Sequence, residues 1–388
     1  TLHNTLFPYT TLFRSVYTVP VDPLRGLQEG DRVVATGERP TIPVGDGLLG
    51  RVLDANGDPI DGRGPLGAAA RWEIDGDPVP ALSRPRIDVP MPSGIRAIDG
   101  CLTLGRGQRI GIFSGAGVGK SRLLGALARL SADEIVVVAL VGERNREVRD
   151  FIDGELGEPG LRRSAVFVAT SDESPLRRVR CAMAATAAAE AFRRAGHNVT
   201  LLMDSLTRVA MAVREIGLAA GEPPTSKAYT PSVFSFLPRL LERAGREKDA
   251  GAMTAAYTVF VEGDDLTDPV ADAARAILDG HVLLSRNLAE RGHYPAIDVL
   301  GSVSRVMNQV VDRKHAEATT RLRQLLAVYE ENRDLLAIGA YREGNDPEVD
   351  RAVRWRGEIE RFLQQDLSQG SDFDETRTML QGIGAGES

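Results

Sequence analysis

The sequence predicts an α/β protein built on a parallel β-sheet. Residues 134–141 and 165–169 are short, almost wholly apolar runs rich in β-branched residues, which is the composition of strands buried on both faces. Helical patterns lie between such runs, and this alternation is typical of a parallel sheet covered by helices. The 40 glycines in the chain fit a fold with many tight strand–helix turns.

Composition excludes several classes of protein. Hydrophobic residues make up 43% and charged residues 26% of the 388, an ordinary globular balance for a chain long enough for two or three domains. The net charge of −7 disfavours a nucleic-acid-coating protein. Cys101 and Cys181 lack disulfide-framework or metal-ligand spacing, which favours a reducing cytoplasm. No apolar run approaches the roughly 20 residues that span a bilayer.

The start of the chain divides into two parts. Residues 1–15 are rich in Thr, Leu and Phe without any period, so we expect a non-native segment and a missing natural N-terminus. Residues 16–36 contain short apolar pieces separated by turn signals, which predict the last strands of a small β domain that ends near residue 40.

Turn signals dominate the next segment. Between residues 45 and 66, Gly, Asn, Asp and Pro separate two apolar pieces, Leu48-Leu49 and Val52-Leu53, which fit hairpin strands. Residues 78–92 are rich in proline and predict an extended connector.

A regular core pattern follows. Ser174, Pro175 and Gly196 are suited to cap, begin and end a long Ala-rich helix. Beyond residue 312 only helical spacing with many charges remains, which predicts a small helical domain. The predicted strands are 109–113, 134–141, 165–169 and 199–203, and the predicted helices are 120–130, 175–195, 314–331 and 348–367.

The most specific motif is a phosphate-binding loop, SGAGVGKS, at residues 114–121 between a predicted strand and a predicted helix. Backbone N–H groups of such a loop cradle phosphate oxygens at a helix N-terminus. Lys120 would reach the β- and γ-phosphates, and the Ser121 hydroxyl would bind Mg²⁺. Ser114 departs from the strict pattern, which has Gly there. The predicted nucleotide-binding residues of the loop are Gly115, Ala116, Gly117, Val118, Gly119, Lys120 and Ser121.

Two carboxylates follow predicted strands. Asp204 ends the strand at 199–203, where it would hold Mg²⁺ through water or cap the next helix. Glu143 follows the strand at 134–141 and would polarise an attacking water. It could instead pair with Arg144 or Arg146, and spacing alone does not choose between these roles.

Six motifs in a fixed order resemble the catalytic subunits of rotary ATPases, and more closely the flagellar and type III secretion export ATPases. The stretch at 214–245 favours the export branch, and the resemblance extends over residues 16–380. The motifs are SGAGVGKS at 114–121, VGERNREVR at 141–149, LMDSLTR at 202–208, GEPP at 221–224, DDLTDP at 264–269 and YPAIDVLGSVSR at 294–305.

The resemblance implies a RecA-like P-loop ATPase core. It divides the chain into the foreign segment at 1–15, the remnant of an N-terminal β-barrel at 16–40, the ATPase domain at 41–312 and the C-terminal helical domain at 313–388. The acidic loop at 343–350 would face a central stalk or substrate, or would simply be a solvated turn.

The resemblance also implies roles for individual residues. Glu143 matches the carboxylate that activates the hydrolytic water, Arg144 an arginine near the phosphates, and Asp204 the magnesium-site aspartate. Tyr294 matches the aromatic residue that stacks on adenine, although it could instead pack under a loop. Arg305 matches the arginine finger offered to a neighbouring subunit, although it could instead pair with Asp298 or Asp312 of its own chain.

The function so implied is Mg²⁺-dependent ATP hydrolysis that powers protein export by a cytoplasmic homohexamer at the membrane export gate. Expected partners are stalk and regulatory proteins, export substrates and chaperones, and no nucleic acid. The main alternative is the catalytic subunit of a proton-linked rotary ATPase. A nucleic-acid ring translocase would need a basic or aromatic strand-binding surface, and a non-catalytic subunit would lack the carboxylate at Glu143.

Overall fold

The computed structural model describes residues 21, 26, 28, 30–32, 34–67, 69–133, 135–261 and 267–385. The strands are β1 (Thr41–Val44), β2 (Arg51–Leu53), β3 (Ala70–Glu73), β4 (Arg109–Ser114), β5 (Ile135–Glu143), β6 (Ser164–Thr170), β7 (Val199–Asp204), β8 (Gly245–Arg246), β9 (Ala252–Phe260), β10 (Gly280–Leu284) and β11 (Ile297–Ser304).

The helices alternate with these strands and then continue alone. They are α1 (Arg96–Cys101), α2 (Lys120–Leu130), α3 (Asn145–Asp150), α4 (Gly157–Arg162), α5 (Pro175–Arg194), α6 (Leu206–Ala219), α7 (Pro231–Leu241), α8 (Pro269–Ile277), α9 (Arg286–Glu290), α10 (Met307–Val310), α11 (Arg313–Ala337), α12 (Pro347–Leu363) and α13 (Phe373–Gly382). Within the described part of the chain, no helix is long and apolar enough to cross a membrane.

A nine-stranded sheet forms the centre of the described residues. Its order is β11-β10-β4-β9-β7-β5-β6-β2, with β8 paired to β9, while β1 and β3 form a separate antiparallel pair. The strands from β10 to β2 are all parallel to their neighbours along this order, and β11 and β8 are antiparallel to β10 and β9. The predicted parallel sheet is therefore confirmed.

Helices bury both faces of the sheet. One apolar layer packs α5, α6, α7 and α8 against one face, and a second packs α1, α2, α11 and α12 against the other. Every residue of β6 and β7 is buried. This double burial explains why these strands are nearly continuous apolar runs in the sequence.

The predicted core helices are confirmed. The helix predicted at 120–130 matches α2, and the predicted capping residues of α5 act as expected: the Ser174 hydroxyl accepts a hydrogen bond from the Arg177 N–H at 3.2 Å. Gly196 follows α5 with a φ of 98°, in the left-handed region that favours glycine.

The predicted hairpin between residues 45 and 66 is wrong for Leu48-Leu49 and is confirmed only in part for Val52-Leu53, where Leu53 forms an antiparallel bridge with Pro59. Leu48 lies in a short 3₁₀ turn, and Val52 and Leu53 join the edge of the main sheet parallel to β6. These apolar side chains gain more burial on the large sheet than an isolated hairpin would offer. The extended connector at 78–92 is confirmed, apart from a 3₁₀ turn at Ala81–Ser83. The predicted foreign segment lies outside the described residues. Of the predicted barrel remnant at 16–40, residues 21, 26, 28, 30–32 and 34–40 are described, and none of these lies in a strand.

The C-terminal region is helical, as predicted, but α12 ends at Leu363 and not at residue 367. The Arg96 guanidinium donates hydrogen bonds to the carbonyl oxygens of Phe362, Arg361 and Gln364, and so caps the end of this helix. The sequence analysis also missed α13. Since the cap comes from a residue far away in the chain, no local signal marks the end of α12.

We expect Glu190→Ala to destabilise the fold by about 3–5 kcal/mol, because it leaves the buried Arg243 guanidinium without its counter-charge. The two side chains are 6% and 3% exposed, and Arg243 Nη1 also donates to the Ile74 carbonyl at 2.8 Å. Urea-induced unfolding followed by circular dichroism measures the loss. The control is Asp150→Ala, which removes an exposed pair with Arg146 and should leave the transition unchanged; equal shifts in both variants would contradict this account.

Candidate active site

Three predicted site residues meet at the carboxyl ends of the parallel strands. Lys120 opens α2 just after β4, Glu143 ends β5 and Asp204 ends β7. These strands run in the same direction, so their carboxyl ends bring the three side chains together, as is usual in open parallel sheets.

Lys120 lies between the two carboxylates. Its Nζ is 2.6 Å from Asp204 Oδ1 and 3.4 Å from Glu143 Oε1. The Thr258 hydroxyl, on β9, donates a second hydrogen bond to Asp204 Oδ1 at 2.7 Å. The partly buried cluster therefore groups one lysine with two carboxylates. These contacts orient the Lys120 side chain before a nucleotide phosphate binds.

The environment shifts the pKa values of this cluster. Burial lowers the pKa of Lys120, but the Asp204 and Glu143 carboxylates outweigh it and raise the pKa above its ordinary value. For Glu143, burial and the neighbouring Asp204 charge raise the pKa to about 7, against the opposing effect of Lys120. A carboxyl group that titrates near neutrality is suited to accept a proton at physiological pH.

Glu143 does not form the alternative arginine pairs. Arg144 Nη1 lies 3.3 Å from Glu147 Oε1, and Arg146 Nε lies 3.3 Å from Asp150 Oδ2. The Arg144 side chain is 80% exposed at the rim of the site. The geometry therefore disfavours the arginine pairs that spacing left open for Glu143, and its carboxylate lies beside Lys120 instead.

The loop before α2 has the backbone that phosphate binding requires. Gly117 and Gly119 have φ values of 77° and 92°, in the left-handed region where other residues are strained. Ser114, in contrast, is the last residue of β4 and is absent from the positive-φ positions, so an extended conformation explains why Gly is not needed there. Gly115 and Val118 are buried beneath the loop, and Ala116, Gly117 and Ser121 are exposed on it.

The oxygen donors fit Mg²⁺ only when a nucleotide shares it. Among the described residues, no three His, Cys, Asp or Glu side chains form a group able to hold a metal ion. The Ser121 hydroxyl at the start of α2 and the Asp204 carboxylate are hard oxygen ligands, and Mg²⁺ typically uses one or two such groups together with phosphates and water. The donor set therefore fits the predicted Mg²⁺–nucleotide site.

A cavity of about 290 Å³ lies beside the phosphate loop. Tyr294 lines it, is 39% exposed and has its ring beside Gly119 of the phosphate loop. No sequence pattern predicted three further lining residues that follow α12, namely Gln365, Asp366 and Leu367. The Gln365 N–H donates to the Tyr294 carbonyl at 3.0 Å. The other lining residues are Val118, Gly119, Arg122, Leu123, Leu284, Pro295 and Ala296.

Arg305 lies near the amino ends of the parallel strands. It follows β11, whose Ser304 pairs with Gly280 at the start of β10, whereas Leu284 at the end of β10 pairs with Ser114 at the phosphate loop. The four residue steps from Gly280 to Leu284 span about 13 Å. Arg305 and Lys120 of one chain therefore lie at opposite ends of the parallel strands.

The alternative ion pairs of Arg305 do not form. Within the described part of the chain no carboxylate pairs with Arg305, and its Nη2 donates to the Arg275 carbonyl at 3.1 Å. Asp312 caps α11 and lies 3.5 Å from Arg377, and Asp298 accepts the Gly301 N–H. The exposed guanidinium is thus directed to the surface.

Comparison with known proteins identifies the family. Residues 94–304 match the nucleotide-binding domain of the ATP synthase alpha/beta family, and residues 311–382 match the type III secretion system EscN ATPase C-terminal domain. The chain belongs to the ATP synthase alpha/beta family. It is an ATPase of the flagellar and type III secretion branch, as the sequence analysis predicted, and the predicted fold class is confirmed.

Two relatives and one solved structure illustrate the match. A flagellum-specific ATP synthase of Pseudomonas aeruginosa is 51% identical, with 96% of this chain and 82% of the relative covered. A type 3 secretion system ATPase of Sinorhizobium fredii is 50% identical, with 94% and 81% covered. The structure of the assembled ATPase EscN from the enteropathogenic E. coli type III secretion system is 44% identical and superposes with a TM-score of 0.89, covering 94% of this chain and 88% of that one.

The pKa of Glu143 predicts the pH dependence of hydrolysis. A general base acts only when deprotonated, so kcat/KM should fall roughly tenfold per pH unit below about 7 and reach a plateau above it. Lys120 stays charged over this range because its pKa is raised. A pH–rate profile from about pH 5 to 9 measures this, with circular dichroism at each pH to show that the fold persists. A profile without a break near neutrality would contradict the assignment of Glu143.

Proposed function

We propose that this ATPase powers protein export as a homohexameric ring, with each catalytic site completed by the neighbouring subunit. The observation that carries this proposal is the position of Arg305, which lies across the sheet from Lys120, Glu143 and Asp204 of its own chain. An exposed arginine at that edge suits a site on a second copy.

Each site residue has a distinct task in the proposed hydrolysis. The backbone of residues 115–119 and the Lys120 ammonium bind the phosphates, and Tyr294 stacks on the adenine in the cavity beside the loop. Ser121 and Asp204 would hold Mg²⁺, which supplies charge neutralisation on the β- and γ-phosphates when bound. Glu143 accepts a proton from the attacking water, so that the γ-phosphoryl group passes to water and ADP leaves.

Two arginines stabilise the charge that develops in this reaction. Arg144, at the rim, lies on the same chain as Glu143 and would contact the phosphates once they are bound. Arg305 of the neighbouring subunit would act as the arginine finger, a role that is worth about 10³ to 10⁵ in rate in other phosphoryl-transfer enzymes. Because the finger comes from another chain, hydrolysis depends on assembly.

Similarity supports the proposed partners and location. The relatives are named for flagellar and type III secretion systems, and one solved structure is of EscN in complex with its central stalk EscO. We infer a comparable stalk, export substrates and their chaperones as partners, at the cytoplasmic face of a membrane export gate. A proton-linked rotary ATPase is the second candidate because residues 94–304 match the nucleotide-binding domain that the whole family shares.

Assembly should control the specific activity. We expect Mg²⁺-dependent ATP hydrolysis per chain to be negligible at dilutions where mass photometry finds monomers and to rise in step with the ring fraction. Arg305→Ala should lower kcat of assembled rings by about 10³ or more. The control, Arg162→Ala, removes an exposed arginine paired with Glu158 and should hydrolyse ATP normally. Full activity in the monomer fraction would contradict a shared site.

A further inference from the structure

Arg305 rests on a defined seat formed by the end of α8 and the residues after it. Its backbone N–H donates to the Asp279 carbonyl at 2.9 Å, and its Nη2 donates to the Arg275 carbonyl at 3.1 Å. Both the main chain and the guanidinium are therefore held by one short segment, residues 275–279. Whatever fixes this segment also fixes Arg305.

Asp279 is itself fixed by Arg109, the first residue of β4. Asp279 Oδ2 accepts hydrogen bonds from the backbone N–H and the Nε of Arg109, and Oδ1 accepts one from Nη2, all at 3.0 Å. The two side chains are 23% and 13% exposed. Such a forked, largely buried pair has one geometry, unlike a mobile surface ion pair.

A second carboxylate strengthens this arrangement. Arg109 Nη1 lies 2.5 Å from Glu242 Oε1, beyond α7. Burial alone would lower the pKa of the Arg109 guanidinium, but Asp279 and Glu242 together raise it. Arg109 is therefore held permanently charged between two partners.

The residue before Arg109 supports the same seat. Gln108 Nε2 donates to the Ser304 hydroxyl oxygen at 3.1 Å and to the Asp279 carbonyl at 3.3 Å. The Ser304 hydroxyl in turn donates to the Thr103 carbonyl at 3.0 Å. The Ser304 side chain is thus bonded directly to Gln108, and the Asp279 carbonyl that accepts from the Arg305 main chain also accepts from Gln108.

Two neighbouring strands connect this seat with the nucleotide site. β4 begins at Arg109 and ends at the phosphate loop, and β10 begins beside Asp279 and ends at Leu284, which lines the cavity with Tyr294. The two strands are hydrogen-bonded in register, with Leu284 opposite Ser114. The paired strands β4 and β10 therefore hold the chain's own phosphate site at their carboxyl ends and Arg305 near their amino ends.

We propose that Arg109 and Asp279 are positioning residues that hold Arg305 in place for the catalytic site of the neighbouring subunit. This inference rests on the proposed finger role of Arg305. Neither residue would touch the nucleotide bound by either subunit. Their substitution should slow hydrolysis in the next subunit while leaving nucleotide binding by their own subunit intact.

The expected size of the effect follows from geometry. A long arginine side chain has many rotamers in solution, and a misplacement of about 1 Å in a catalytic group can cost about 100-fold in rate. Asp279→Ala removes the three hydrogen bonds to Arg109 and frees the segment that seats Arg305. We expect kcat to fall about 100-fold with an unchanged affinity for a non-hydrolysable ATP analogue.

The chain offers a matched control at the other end of the sheet. Arg51 and Asp61 form the same fork, with Nε–Oδ2 and Nη2–Oδ1 distances of 2.7 and 2.9 Å, and Asp61 also accepts a backbone N–H, from Val52. The exposures of 13% and 8% are comparable. Asp61→Ala therefore removes an equivalent pair far from Arg305 and should leave kcat unchanged.

Mixed rings test the inference directly. Full-length Asp279→Ala chains are assembled with an excess of Glu143→Gln chains, which cannot activate water but carry an intact Arg305 and its seat. Hydrolysis per Asp279→Ala chain should rise towards the wild-type value, because its own phosphate site now faces a well-positioned finger. Arg305→Ala chains mixed in the same way should be rescued equally.

Three results would overturn the inference, and each is distinguishable. Wild-type kcat in Asp279→Ala alone would show that the pair does not position the finger. Rescue of Arg305→Ala but not of Asp279→Ala would show that the loss lies in the variant's own site. Wild-type kcat in Arg305→Ala alone would remove the finger role itself, and with it both the proposed shared site and this inference.

Discussion

The contact between Lys120 and Asp204 organises the catalytic edge of this ATPase. A largely buried lysine is stable only where opposite charge compensates it, and the parallel sheet brings two carboxylates to Lys120. β4 supplies the phosphate loop, β7 supplies Asp204, and β5, paired beside β7, supplies Glu143. Helices on both faces bury these strands, so the side chains at their ends have little freedom to move apart.

The same sheet separates the two halves of the proposed chemistry. The residues proposed for nucleotide binding, metal coordination and proton transfer lie at the carboxyl ends of the parallel strands. Arg305 lies near their amino ends, because β11 runs antiparallel to β10. Arg305 does not reach the phosphate site of its own chain, whereas in a ring of identical chains it can face the phosphate site of the neighbouring chain. Within each chain, the fork between Arg109 and Asp279 links the segment that holds Arg305 to β4, the strand that ends at the phosphate loop.

Local sequence signals predicted the elements whose cause is local. The glycine-rich loop, the capped α5 and the β-branched core strands all carry their reason in a few adjacent residues, and the predicted residues Lys120, Glu143 and Asp204 do converge. The strand predicted at Leu48-Leu49 was wrong, and Val52-Leu53 joined the main sheet, because an apolar pair of residues does not specify which sheet will bury it.

The features that the sequence analysis missed depend on distant partners. Gln365 to Leu367 reach the cavity because Arg96 ends α12 at Leu363, and Asp279 matters because Arg109 lies opposite it. Neither relation leaves a pattern at either position. Thr258, which donates to Asp204 from β9, is hidden for the same reason, because threonine is an ordinary strand residue.

We propose that Asp204 and Ser121 share Mg²⁺ with the nucleotide that Lys120 binds. Calorimetric titration of the wild type and of Asp204→Ala with a non-hydrolysable ATP analogue, in the presence and absence of Mg²⁺, measures this shared binding. We expect Mg²⁺ to tighten binding of the analogue to the wild type. This gain should be lost in the variant, which should still bind the analogue without the metal. An undiminished Mg²⁺-dependent gain in Asp204→Ala would contradict it.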